Sequence, residues 1–367
     1  MTVATASAGD KSSEPGFWAD WLSAEDMRAV TTKSLSRGLR ILIAHYAIYL
    51  LTLLGALAPL PLGANLLFAL ANGAMIGLIF LIGHDAAHSS WVPGRVANRW
   101  CARLAFLPSL HSRSLWELVH NHIHHSYTNL KGVDYVWTPM SKAEYDARSF
   151  PRRMLERFYR GPLGPLLYYW TAFWLPKLVL PISAESRRDW KHHVPDTLFL
   201  FLAGGALISG IAFAGLWLAP ERPLWLILLI GWFVPFAVWN WLMALSIFLQ
   251  HNHPRVPWFA NQAEWSFYNG AIRGAAHVDL PFDFLVLFKW VMLHNAHHVM
   301  PSVPLYNLAE AQRKLIQAYD EDVVRYQFSL GEYRRIYRAC KLFDFERKQW
   351  TDFNGTPTSE PIYCVTK

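Results

Sequence analysis

The sequence predicts an all-α integral membrane protein: two transmembrane helical hairpins (four spans) and a cytoplasmic helical cap holding a histidine-rich metal site. Three observations predict it. First, of 367 residues 53% are hydrophobic and only 17% charged, which is too apolar for an ordinary soluble domain. Second, four apolar stretches are each long enough to cross a bilayer, which takes about 20 residues of helix. Third, three histidine clusters lie in or beside those stretches: His84-Asp85-Ala86-Ala87-His88, His120-Asn121-His122-Ile123-His124-His125 and His294-Asn295-Ala296-His297-His298. Histidine is the commonest metal ligand. Eight imidazoles are too many for one ion and suit two.

From the N-terminus, residues 1–36 form a polar, Ser-rich segment with no apolar core near its start, so no signal peptide is expected. The first span is expected from about Ile41 to Leu60 and the second from about Leu62 to Gly83, parted by one Pro-Leu-Gly turn. The third runs from about Thr197 to Ala219 and the fourth from about Leu224 to Leu249, with Pro220-Glu221-Arg222-Pro223 between them. Pro235 lies inside the fourth span and should kink it. Leu163–Pro181 and Phe282–Leu293 are apolar but interrupted or short, and read as interfacial segments. The membrane domain takes in residues 37–315. Residues 316–367 form an amphipathic tail of expected cytoplasmic helices.

Charge orients the chain. Fifteen Lys and Arg lie between His84 and Asp196, whereas the two tight turns contain one, Arg222. The positive-inside rule then puts both termini and the middle segment in the cytoplasm. Every histidine cluster falls on that same face. The 18 Trp suit interfacial belts. The net charge of +7 fits the same cytoplasmic bias, and no motif for nucleic acid accompanies it. Cys101, Cys340 and Cys364 are scattered without a CxxC, which argues against thiolate zinc or iron–sulfur ligation and suits a reducing compartment.

Histidines four apart share one helix face. That relates His84 to His88 and His120 to His124, with His125 adding a neighbouring direction; His294, His297 and His298 combine i+3 and i+4. Asp85 is placed to accept an imidazole N–H and is the candidate catalytic carboxylate. One histidine pair on a helix is more often packed or solvated than a ligand set. Three clusters on one membrane face are different, because unpaired polar groups beside an apolar span are costly. His251 or His253, ending the fourth span, offers a ninth ligand, with His251 nearer the membrane. His277 stands before the short apolar segment, where it lies near the site or serves structure. His45, His111, His192 and His193 read as structural.

At this point the residues resemble a family. HDAAH, HNHIHH and HNAHH are similar to the three histidine boxes of membrane fatty-acid desaturases. Ser126-Tyr127-Thr128-Asn129, Leu249–Pro254 (LQHNHP), His277–Pro281 (HVDLP) and Pro304–Leu308 (PLYNL) resemble acyl-lipid desaturases of the methyl-end, Δ12/ω-6 type. The resemblance covers roughly residues 40–315. It implies four helices under a cytoplasmic cap with a di-iron centre ligated by His84, His88, His120, His124, His125, His294, His297 and His298, and further by His251 or His253. The second box departs from the pattern: three residues separate His120 from His124-His125 where many members have two, which leaves His122 as an alternative ligand. Lys289 stands roughly where relatives often carry another histidine.

The resemblance implies O₂-dependent introduction of a cis double bond into a lipid-linked acyl chain, since removing hydrogen from an unactivated methylene is beyond any side chain. It implies two Fe ions, O₂ as co-substrate, and an apolar tunnel open to the bilayer. No fused haem motif or dinucleotide fingerprint is present, so a soluble donor is expected: ferredoxin, or cytochrome b5 with its reductase. A fatty-acid hydroxylase or a carotenoid ketolase or hydroxylase would keep the metal site and change the outcome. A metal transporter would place its ligands near mid-membrane on broken helices rather than at span ends.

Overall fold

The computed structural model describes residues 21–281 and 286–363. Residues 1–20, Cys364 and part of the Phe282–Leu293 segment lie outside the described residues, as does the Lys289 side chain. The chain opens with α1 (Ala24–Thr31), capped by Ser23, and α2 (Leu35–Leu57), capped by Ser34. Both cap hydroxyls accept a backbone N–H of the first turn, which leaves one fewer orphan donor there. After a four-residue turn comes α3 (Leu62–Ala87). The polar segment that follows contains α4 (Arg95–Phe106), α5 (Arg113–Trp116), a π-helix at Glu117–His124, α6 (Lys142–Asp146), α7 (Phe150–Tyr159), a second π-helix at Tyr169–Leu178 and α8 (Ala184–Arg187).

Next come α9 (Trp190–Leu218), α10 (Leu224–Leu228), a π-helical stretch Leu229–Phe233 and α11 (Val234–His251). The π stretch ends just before Pro235, which lacks the N–H a regular turn would need. The expected kink is therefore expressed as a widened turn. The cap is completed by β1 (Ala276–Asp279), α12 (Val286–Val291), α13 (His294–Val299), α14 (Leu308–Tyr319), β2 (Val324–Gln327), α15 (Leu330–Ala339), β3 (Leu342–Asp344) and β4 (Gln349–Thr351).

Two corrections to the sequence expectation follow. The fold is mostly helical rather than all-α: β1 pairs in parallel with β2, Ala276 opposite Val324, and β3 pairs antiparallel with β4. These strands are three or four residues long, too short for a period-2 pattern to emerge from sequence. The span limits also shift. The first apolar helix ends at Leu57, not Leu60; the third begins at Trp190, seven residues before Thr197.

Four helical stretches are long and apolar enough to cross a membrane: Ala24–Leu57, Leu62–Ala87, Trp190–Leu218 and Leu224–His251. The second, α3, is the most buried of them and packs against α2, α4 and α11. α2 and α9 instead expose Ile43, Leu51, Leu202 and Phe213 to the outside, as lipid-facing helices do. The segment Tyr169–Leu178 packs on α11 through Trp170 and Trp174 against Phe236. Where span meets cap, buried Asp196 accepts from Arg103 at 2.6 Å and pairs with Arg113 at 2.8 Å. This pins α9 to the helices that lead into the second histidine cluster.

α3 and α11 approach closely at Gly73. A Cβ there would lie 2.6 Å from the Pro235 carbonyl oxygen and from Val238 Cβ, so only a residue without a side chain lets the backbones meet. Gly73→Ala should cost about 1–3 kcal/mol, read as a lower unfolding temperature in detergent. Gly63→Ala, with nothing within 4 Å, should leave that temperature unchanged.

Candidate metal centre

α3 remains helical past the apolar run. It carries His84 and Asp85 on its last turn, and His88 caps it. The second cluster behaves differently. Glu117–His124 is a π-helix, and the His125 N–H reaches the His120 carbonyl, five residues back. This wider turn brings His125 Nε2 within 3.1 Å of His120 Nε2, while His124 joins a separate group of ligand atoms. α13 supplies the third cluster and the end of α11 supplies His251.

The described residues form two groups whose ligand atoms all lie within 4.8 Å of one another: His84, His88, His120, His125 and His297 in one, and His124, His251, His294 and His298 in the other. Each histidine cluster contributes to the first group, and the second joins parts of two clusters to α11. Within the first, His120 Nε2 lies 2.8 Å from His84 Nε2 and 3.1 Å from His125 Nε2. Within the second, His294 Nε2 lies 3.1 Å from His251 Nε2 and 3.0 Å from His298 Nε2.

Four of these rings have their tautomer set from behind. His84 Nδ1 donates to Asp85 Oδ1 at 3.2 Å, and His124 Nδ1 to Asp134 Oδ2 at 3.0 Å. His251 Nδ1 donates to the Gly274 carbonyl at 3.1 Å. Thr128 gives its hydroxyl proton to the His124 carbonyl and so accepts from His298 Nδ1 at 3.0 Å. A carboxylate or carbonyl only accepts, so Nδ1 holds the proton and the Nε2 lone pair faces inward. His297 Nε2 is buried with no hydrogen-bond partner among the described residues. Burial first, and then neighbouring imidazoles, hold His120, His125, His294, His297 and His298 well below the ordinary imidazole range. Neutral, converging imidazole nitrogens with one lone pair unpartnered are a donor set that fits two transition-metal ions.

Asp85 does more than face His84. Its Oδ2 accepts the Leu305 N–H at 2.5 Å, which ties the Pro304–Leu308 segment to the first cluster. From that segment, Tyr306 donates to the Trp91 carbonyl, and the Asn307 amide reaches the carbonyls of Val30 and Thr32. Asn129 donates to the carbonyls of Pro257 and Gly274, so the carbonyl behind His251 is itself held. Buried Arg160 bonds Asn252 Oδ1 at 2.7 Å and the Trp137 carbonyl at 2.8 Å, which fixes the chain next to His251.

Other histidines stay apart. His122 is exposed and in neither group. His253 is buried, but Nδ1 accepts the Arg255 N–H and Nε2 accepts from Arg335, so both nitrogens are engaged elsewhere. His277 lies beside Asp279 at 3.1 Å, outside both groups. Asp134 and Arg160 were not singled out from sequence; only the fold brings them to the ligands.

His111 is structural. Nδ1 donates to the Ser109 carbonyl and Nε2 accepts from the Tyr169 hydroxyl, each at 2.8 Å. Burial pushes its imidazole down to about 3. Above about pH 6.5 the ring is neutral whether the chain is folded or not. Below that the unfolded chain takes up a proton the folded one refuses, so stability falls with pH by about 1.4 kcal/mol per unit from this group. His111→Gln should flatten the acid limb of unfolding temperature against pH between about 6.5 and 4.

A buried cavity of about 40 Å³ reaches both histidine groups. Its wall is largely apolar: Phe80 and Leu81 from α3, Trp239 and Ile247 from α11, and Phe288 and Val291 from α12, ending on His84, His120, His124, His251 and His294. A narrow passage whose wall is largely apolar suits an alkyl chain.

The fatty acid desaturase family profile matches residues 61–329. Among curated proteins, the chain is 28% identical to an sn-1 oleoyl-lipid 12-desaturase of Picosynechococcus sp., over 75% of this chain and 76% of that one. It is equally identical, at 28%, to the sn-1 oleoyl-lipid 12-desaturase of Synechocystis sp., over 75% of each chain. An sn-1 acyl-lipid omega-3 desaturase (ferredoxin) of Synechocystis sp. is 27% identical over 67% of this chain and 65% of that one. With most of its length matched and its histidines gathered at the foot of an apolar cavity, this membrane protein belongs to the fatty acid desaturase family and is an iron-dependent oxidoreductase acting on lipid acyl chains.

Proposed function

We propose that the protein introduces a cis double bond at the Δ12 position of a lipid-linked oleoyl chain. The observation that carries the reading is one narrow apolar cavity ending on two histidine groups. The position and carrier rest on the 12-desaturase relatives. His84, His88, His120, His125 and His297 would hold one iron, and His124, His251, His294 and His298 the other. The iron pair supplies the oxidising power: a CH₂–CH₂ unit, O₂, two electrons and two protons become CH=CH and two waters. The chain's own residues do the rest. Phe80, Leu81, Trp239 and Ile247 exclude water and hold the alkyl chain by contact along its length. Asp85, Asp134, Thr128 and the Gly274 carbonyl keep the Nδ1 of His84, His124, His298 and His251 protonated, so that those four Nε2 lone pairs stay aimed inward.

A two-hairpin arrangement, α2–α3 and α9–α11, with the cap and both termini in the cytoplasm is supported by the 15 Lys and Arg between His84 and Asp196. A soluble one-electron donor reaches the cap there. Ferredoxin is the preferred class, because one relative carries it in its name; cytochrome b5 with its reductase is the other. The test is a fatty-acid methyl-ester profile from a host that makes only saturated and monounsaturated lipids and supplies ferredoxin. The expected result is a new dienoic ester with its second double bond at carbon 12. A hydroxylated ester, or an unchanged profile with iron-loaded protein in the membrane, would overturn the reading.

A further inference from the structure

The histidine-lined cavity meets a second cavity at α12. Ser246 and Phe288 line both. The second has a volume of about 100 Å³. Its inner wall is buried and consists of Ser246, Leu249, Phe288 and Met292; its outer rim is half-buried and consists of Leu242, Leu245, Leu280 and Phe328. It therefore runs from the protein's flank inward to the Phe288 ring. Ser246 is its single polar residue, and that hydroxyl is spent on the Leu242 carbonyl of its own helix. On the far side, the Phe288 ring faces Gly77: a Cβ at Gly77 would lie 3.2 Å from Phe288 Cε2.

The location is as telling as the chemistry. The rim joins α11, six to nine residues before His251, to cap residues Leu280 and Phe328. This is the level at which a lipid's ester end sits if the ligand-bearing end of α11 marks the membrane face. The large polar cleft of the cap, lined by Arg255, Arg273 and Arg335 among others, shares no lining residue with the histidine-lined cavity.

We propose that the second cavity is a lateral vestibule through which the acyl chain of a membrane lipid reaches the metal centre from the bilayer, with Phe288 as the gate. This rests on the desaturase reading. A methylene already in hydrocarbon gains little from apolar protein walls, so the path needs only to be free of polar groups and steric blocks. The Phe288 ring is the block. Swinging it aside merges the two cavities into one continuous passage.

Leu245→Trp fills the rim without touching a histidine. It should lower the rate at which the new ester accumulates by about tenfold or more, a transition-state loss of at least about 1.4 kcal/mol, at unchanged protein level and iron per protein. Leu202→Trp, lipid-facing on α9 and lining neither cavity, should leave the rate unchanged. Equal rates for Leu245→Trp and wild type, or an equal loss in both variants, would overturn the vestibule. A second measurement stands apart from activity. A phospholipid with a diazirine on its acyl chain, in nanodiscs, should label residues 242–249 on illumination, and less so in Leu245→Trp. Labelling elsewhere and not there would sink the vestibule even if the wild type makes no dienoic ester, the result that would instead sink the desaturase reading.

Discussion

Alanine in place of His297 is expected to abolish the dienoic product and to lower iron from two per protein toward one. His297 is 1% exposed, and its Nε2 has no hydrogen-bond partner among the described residues. Its ring stands 4.5 Å from that of His84 and 4.7 Å from that of His125, centroid to centroid. Removing it takes one donor from the five that form the first group. Losing a group that merely orients a ligand already costs about 10–100-fold in metal affinity or activity, so loss of the ligand should exceed about 100-fold. Iron is measured on protein purified in detergent, and the product by methyl-ester analysis. His122→Ala, in an exposed position within the same motif type, should retain both. If His297→Ala keeps two irons and makes product, the grouping of the histidines is wrong.

Asp134→Asn carries the next largest effect. The carboxylate accepts three donors: His124 Nδ1 at 3.0 Å, the Asn129 N–H at 2.9 Å and the Val136 N–H at 3.0 Å. An asparagine amide turns an NH₂ toward one or more of them, so at least one buried donor faces another donor. His124 then loses the bond that keeps its proton on Nδ1. Iron affinity and activity should fall about 10–100-fold, with the loss confined to the second group. Mössbauer spectra of ⁵⁷Fe-loaded protein separate the cases: Asp134→Asn should alter the signal of one iron, and Asp85→Asn, acting behind His84, that of the other. An identical change from both substitutions would show that the carboxylates act through general stability rather than through separate irons.

Much of the site was legible because its first element is regular. α3 is an unbroken α-helix through Ala87, so the four-residue spacing of His84 and His88 does place both in one group. The same rule misassigns the second cluster. Glu117–His124 is π-helical, which pairs His120 with His125 and turns His124 to the other group. The resemblance held a signal in the spacing, three residues between His120 and His124-His125 where the family pattern often has two, and a π turn is how a helix absorbs an extra residue. Asp134 gave no such signal. It lies ten residues beyond His124 and returns to it only because the chain folds back through Asn129, whose φ of 62° turns it there. Sequence favoured His251 over His253 only by its nearness to the membrane; in the fold Arg335 and the Arg255 N–H occupy His253, while His251 faces His294.

The sequence by itself determined the class of protein, four stretches able to span a membrane, the nitrogen donors and the family. These depend on composition and on periodicity along one helix, which local geometry sets. Tertiary structure alone decided which histidines share a group, which acceptors stand behind them, the two small sheets, and the path from flank to metal. Those depend on contacts between residues far apart in the chain, such as Asp85 with Leu305 and Ser246 beside Phe288. No repeat or spacing encodes them, because packing and backbone turns bring such residues together only once the helices have docked.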